Sequence, residues 1–196
     1  FLHDFRTGVT QELSPGISAD DQVHAVAADL HGAIVQNWTS PDQPFRLVDP
    51  ATGVGPVLGL TESSAWRLAD FSPDLSMALQ YSSARGFVRS VRVVSTATGG
   101  VVRDLGQVRA ESEWSVSASF VDDSTVLIDD AVPNGAPADG IANDGAFVVD
   151  LSSGAVTRVD PGVAGTSTRS ATADGSRSVY SIILGRSTWL RVAGTN

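Results

Sequence analysis

Short apolar runs bounded by turn residues recur along the chain. Examples are Ala33-Ile-Val-Gln-Asn-Trp38, Phe45-Arg-Leu-Val48, Met77-Ala-Leu-Gln-Tyr81, Val91-Arg-Val-Val94, Thr125-Val-Leu-Ile128, Ala146-Phe-Val-Val149 and Ser178-Val-Tyr-Ser-Ile-Ile183. Runs this short, flanked by Gly, Pro, Asn and Asp, read as β-strands rather than helices. No longer window shows convincing 3.6-residue periodicity, so helix content near zero is predicted. Ile34, Val35, Leu79, Val93, Leu127, Ile128, Val148, Val149 and Ile182 are the predicted core.

Two turn signals alternate between these runs. The first is Asp or Ser, two residues, Thr or Ser, then Gly: Asp4 to Gly8, Asp49 to Gly53, Ser95 to Gly99 and Asp150 to Gly154. A short polar side chain closes such a turn locally, and Gly supplies the positive φ. The four glycines lie 45, 46 and 55 residues apart. The second signal is an acidic turn, at Asp29, Asp74, Asp122-Asp123 and Asp174. Each repeat therefore carries four strands: A before the acidic turn, B after it, C before the Gly turn and D after that. Four strands per repeat of this length define a β-propeller blade.

Phe71-Ser-Pro-Asp74, followed by Thr98-Gly99, resembles the repeats of TolB-type and WD-repeat-like propellers. Leu75 stands where the glycine after Asp74 is expected, and the Trp-Asp dipeptide of true WD repeats is missing. The resemblance implies a ring of blades and says little about function. The predicted fold class is all-β, a β-propeller of four-stranded antiparallel blades with about four blades in view. One domain or fragment covers 1–196, with a partial blade at 1–14, full blades at 18–60, 65–107 and 113–160, and a partial blade at 168–196. The truncated first unit and the start at Phe1 favour the C-terminal part of a six- or seven-bladed ring. The other arrangement is a compact four-bladed ring with irregular closure.

Composition narrows the function classes. The chain has 196 residues, 42% hydrophobic and 18% charged, which suits a packed domain rather than a disordered tail. A net charge of −9 without a basic stripe argues against a nucleic-acid partner, because that binding rests on phosphate neutralisation. No run approaches the length of a membrane span, so no direct membrane insertion is expected of this segment. Cysteine is absent, which excludes disulfides and thiolate chemistry. All 13 basic residues are Arg, which fits a GC-rich bacterial genome and removes lysine mechanisms.

Catalytic motifs do not emerge. His24 and His31 have no metal spacing, and no Gly-x-Ser-x-Gly elbow, phosphate loop or sialidase box is present. The adjacent pairs Asp122/Asp123 and Asp129/Asp130 would point to opposite faces of a strand. The acidic stretch from Asp130 to Gly145 is read as a long, turn-rich B–C loop, with no metal site and no cofactor expected. Asn37-Trp38-Thr39 matches an N-glycosylation sequon and is read as a chance match.

If the domain has a ligand, the face bearing the B–C and D–A loops is expected to meet it, since loops on a rigid scaffold commonly carry function. Trp38, Trp66, Arg85, Phe87, Trp114 and Asp130 are the candidate residues there. Arg and aromatic side chains dominate binding hot spots, although Trp66 and Trp114 also suit packing between blades. The expected function is a non-catalytic binding or scaffold domain of a bacterial, exported or envelope-associated protein. Its ligand would be a protein, small molecule or glycan. The alternative is the propeller portion of a larger enzyme, either a gating domain of an α/β-hydrolase peptidase or a glycan-active propeller.

Overall fold

The computed structural model describes residues 2–4, 7–11, 17, 20–37, 39, 44–49, 55–63, 65–82, 88–109, 118–133, 145–159, 166–184 and 187–194. Among these the chain is all-β and contains no helix. A hairpin of β1 (Leu2–Asp4) and β2 (Val9–Gln11) turns at Gly8, with φ +69°. Blade I follows as β3 (Asp21–Val26), β4 (Ala33–Asn37) and β5 (Phe45–Val48), paired in that order. Its strand D shrinks to one bridge, Val57 opposite Arg46. Blade II is β6 (Trp66–Phe71), β7 (Met77–Ser82), β8 (Val88–Ser95) and β9 (Val101–Arg109). Blade III is β10 (Ala118–Asp122), β11 (Thr125–Pro133), β12 (Gly145–Asp150) and β13 (Val156–Arg158). Blade IV is β14 (Thr166–Ala171), β15 (Arg177–Leu184) and β16 (Ser187–Gly194).

Blades II and III each lie between two neighbours, and their central strands bury apolar residues on both sides. On β7 and β8, Leu79, Tyr81, Val91 and Val93 face blade III and pack with Val126, Ile128 and Val149. The intervening Ala78 and Val94 face blade I and pack with Ile34, Phe45, Leu58 and Leu60. Leu127 and Val148 continue the pattern toward blade IV, beside Val159 and Ala171. This two-sided burial explains why the sequence shows continuous apolar runs rather than alternation. All the predicted core residues are buried except Ile182, whose side chain lies outside those described.

The acidic A–B turns share one design. Asp29, Asp74, Asp122 and Asp174 each accept a hydrogen bond on Oδ1 from the N–H two residues on, at 2.8–2.9 Å. In three of the turns the residue after Asp takes positive φ: Leu30 (64°), Leu75 (63°) and Gly175 (68°). Leucine therefore occupies a glycine conformation, at a cost of roughly 1–2 kcal/mol. For Leu75 burial offsets that cost. Its side chain is 4% exposed and reaches blade I, where it lies beside Leu47 and Gly32.

Strand A of every blade carries a register shift, at Val23/Ala25, Leu68/Asp70, Phe120/Asp122 and Thr168/Ser170. A bulge of this kind bends the innermost strand and increases its twist. Gly106, with φ +92°, sits at a further shift in β9, and its N–H donates to Asp104 Oδ1 at 2.9 Å. Beyond it, Gly106 to Val108 pair with Ala131 to Pro133, joining blades II and III into one eight-stranded sheet. The predicted long loop from Asp130 is corrected by this pairing. Asp130 to Pro133 belong to β11, because the end of β9 offers them a backbone edge.

Candidate functional site

The connection from blade I to blade II builds a small site. After Leu58, Gly59 N–H donates to Ala97 O at 3.0 Å. A Cβ at Gly59 would lie 2.5 Å from the Thr98 carbonyl carbon, so this close approach needs glycine. The chain then crosses the face of blade II. Gln80 Nε2 donates to Thr61 O at 3.0 Å, and Leu68 N–H donates to Glu62 Oε1 at 3.1 Å. Ser63 ends the crossing: its Oγ accepts from Trp66 N–H at 3.1 Å.

A cleft of about 320 Å³ lies between this strap and blade I. Gln36 and Pro44, at the B–C end of blade I, form one side. Val57, Leu58, Leu60, Thr61 and Glu62 form the other. Leu58 and Leu60 are buried, Val57 is 63% exposed, and Glu62 is half-buried. Gln36 is also buried, and its Oε1 lies 3.0 Å from His24 Nε2. The His24 ring meets Phe45 edge to face, with centroids 5.1 Å apart. His24 is thus a half-buried, hydrogen-bonded residue beside the cleft.

Behind Thr61 stands a second array. Gln80 is 3% exposed, and its Oε1 accepts from Arg92 Nε at 3.0 Å and from Arg92 Nη2 at 2.9 Å. The same guanidinium lies over the Trp66 ring, 3.7 Å from its centroid. One buried amide therefore fixes both the connection, through Thr61 O, and the cation on Trp66. A cation–π contact is worth about 0.5–2 kcal/mol according to its exposure. Strand alternation brings this about. Leu68, Gln80 and Arg92 are register partners on one face of blade II.

Of the six candidate residues, Trp66 alone has a described side chain. It is half-buried and packs under Arg92 of the same blade. Trp38, Arg85, Phe87 and Trp114 lie outside the described residues, as does the side chain of Asp130. Arg92 and Gln80 were missed by sequence reasoning, whereas Glu62 was noted there only as a residue of the D–A side. A lone Gln or Arg in an apolar strand run was the available signal. At the predicted sequon, Thr39 N–H and Oγ1 both donate to Asn37 Oδ1, at 2.9 and 2.7 Å.

The opposite face is self-satisfied. Asp74 receives Ser72 Oγ at 2.7 Å and Ser76 Oγ at 2.8 Å. Burial works against its ionised form, but these hydroxyls and the Ser76 N–H outweigh it and hold its pKa below the ordinary value. The Ser152 hydroxyl and the Ser153 N–H hold Asp150 down to about 2. The Thr172 hydroxyl and the Ser176 N–H do the same for Asp174. Among the described residues no three His, Asp or Glu side chains gather as a group able to hold a metal.

No protein-family model matches the sequence, and no curated protein matches it. Solved structures do. TolB from Acinetobacter baumannii is similar with a TM-score of 0.55 and 16% identity, over 91% of this chain and 42% of that one. An oligogalacturonate lyase in complex with manganese gives 0.55 and 16%, over 98% and 55%. A structure from a study of two prolyl endopeptidases gives 0.57 and 16%, over 89% and 26%. This chain thus spans from about a quarter to just over half of those proteins. At such identity the likeness is one of fold: the chain is a partial β-propeller resembling TolB.

Proposed function

We propose that this chain is a non-catalytic binding or scaffold module of an exported or envelope-associated bacterial protein. It meets a protein, small-molecule or glycan ligand on the face bearing the B–C and D–A loops. Trp38, Trp66, Arg85, Phe87, Trp114 and Asp130 are proposed to furnish that face. The observation that carries the reading is the Arg92–Trp66 stack, fixed by buried Gln80 beside an open cleft. An Arg and an aromatic held in place combine contact area with directional bonds at small entropic cost. The self-satisfied Asp turns support the same choice of face, since their carboxylates are occupied by their own backbone and hydroxyls.

The test compares two pairs of variants with unchanged melting temperature. Trp38→Ala with Arg85→Ala should lose the partner captured from the source cells by the tagged chain. Arg6→Ala with Arg177→Ala, a pair that the sequence pattern assigns to the turns of the opposite face, should retain it. The reverse outcome overturns the face assignment.

A further inference from the structure

We propose that the cleft between blade I and the strap leading to blade II receives a lysine or arginine side chain from an extended segment of a partner protein. This rests on the loop-face reading above and adds the chemistry of the ligand. The cleft has an aliphatic wall, Val57, Leu58 and Leu60, and a carboxylate, Glu62. That is the pattern a long cationic side chain needs, a methylene stem on apolar surface and a charged head on an acid. Glu62 is held for the purpose, because Leu68 N–H binds one of its oxygens at 3.1 Å.

The neighbouring cations do not compete. Arg92 is directed onto Gln80 Oε1 and Trp66. Arg46 is already bound to Asp21 at 2.7 Å. The chain as a whole carries −9, which favours approach of a basic partner.

The backbone at the rim suits an extended segment. Leu47 N–H donates to Pro56 O at 3.1 Å, and Leu58 N–H donates to Phe45 O at 2.8 Å. These bonds flank the Arg46–Val57 bridge, so Val57 is in a non-hydrogen-bonded pair. Its own N–H and C=O therefore point away from β5. Val57 is also 63% exposed, and no named strand lies beyond it among the described residues. A segment added along such an edge gains main-chain bonds and sends alternate side chains inward.

The probe is a short, acetylated and amidated threonine-rich peptide with one central arginine, titrated into the whole chain at low ionic strength. Its control carries citrulline in place of that arginine, which keeps the shape and removes the charge. The arginine peptide should bind, and the citrulline peptide about tenfold more weakly, as for loss of one charge-assisted contact. Glu62→Gln retains an oxygen for Leu68 N–H, and should weaken the arginine peptide about tenfold while leaving the citrulline peptide unchanged. Raised salt should shrink the difference. Equal binding of the two peptides, no binding of either, or indifference to Glu62→Gln overturns the proposal. If Glu62→Gln still captures the cellular partner and Trp38→Ala with Arg85→Ala does not, the loop-face reading stands and the basic side chain is wrong. If Trp38→Ala with Arg85→Ala also captures it, the loop-face reading itself fails.

Discussion

The amide N–H of Asp74 donates to Asp123 Oδ1 at 2.8 Å, across 49 residues of sequence. The bond joins the A–B turns of blades II and III. Ala28 N–H does the same between blades I and II by donating to Pro73 O at 2.8 Å. Phe120 N–H adds a third link at 2.8 Å, to Asp70 Oδ2 on the preceding inner strand. Blade II is thus tied to blade I by one polar bond and to blade III by two near the inner strands, while apolar surface fills the space between.

Asp123→Ala removes one stitch. Asp123 is exposed, so water replaces much of what is lost, and the expected cost is about 0.5–1 kcal/mol. Asp123→Asn keeps an oxygen acceptor and should cost less. Urea denaturation of the three proteins measures both. An alanine variant as stable as the parent would show that the bond contributes nothing.

The turns were largely legible in the sequence because their signals are local. Asp, Ser, Thr and Gly close them through side chains a few residues away, as at Ser95 and Asp150, where Gly99 and Gly154 take positive φ. What escaped depends on partners distant in sequence. The bulge in each strand A is set by pairing with strand B and by the bend of the sheet, and no residue type marks it. Asp122 and Asp123 look alike, yet one caps its own turn and the other reaches a different blade. The strand character of Asp130 to Pro133 comes from β9, some 25 residues earlier. The Arg92–Gln80–Trp66 array needed the register of three strands before it could be seen.

Leu75 and Leu30 share a backbone conformation and differ in burial. Leu75→Gly relieves roughly 1–2 kcal/mol of left-handed strain. It also empties a buried leucine site, which typically costs about 2–5 kcal/mol for loss of the side chain. The net expectation is a destabilisation of about 1–3 kcal/mol. Leu30 is only half-buried. Leu30→Gly should therefore change stability little, since strain relief is set against the extra unfolded-state freedom of glycine. Equal effects at the two sites would refute burial as the reason leucine is tolerated at Leu75.

Gln80 holds Thr61 O and Arg92 at once, so its removal strands groups on two elements. Gln80→Leu is similar in volume but has no polar atoms. It should cost about 1–3 kcal/mol, the penalty of leaving buried polar groups without partners. A double-mutant cycle with Arg92→Met should return a coupling of about 1 kcal/mol, because the pair is in direct contact. Simple additivity would mean that the Gln80–Arg92 bonds are not formed in solution.

The Asp turns also predict how the fold responds to acid. Asp150 and Asp174 titrate at about 2 in the folded chain, against an ordinary value of 3.8. The pKa values of Asp74 and Asp122 are lowered as well. A carboxylate with a depressed folded pKa stabilises the fold fully above its unfolded pKa. As pH falls from about 4 toward 2, the unfolded chain takes up protons first and the contribution drains away. The melting temperature should therefore decline across that window from this source, and a variant with both Asp150→Asn and Asp174→Asn should decline less steeply. Asparagine keeps an Oδ1 to accept the Ser152, Ser153 and Ser176 N–H bonds, so the turns survive while the titration is removed. Calorimetric scans from pH 6 to pH 2 compare the two slopes. Parallel curves would show that these carboxylates are not the acid-sensitive groups.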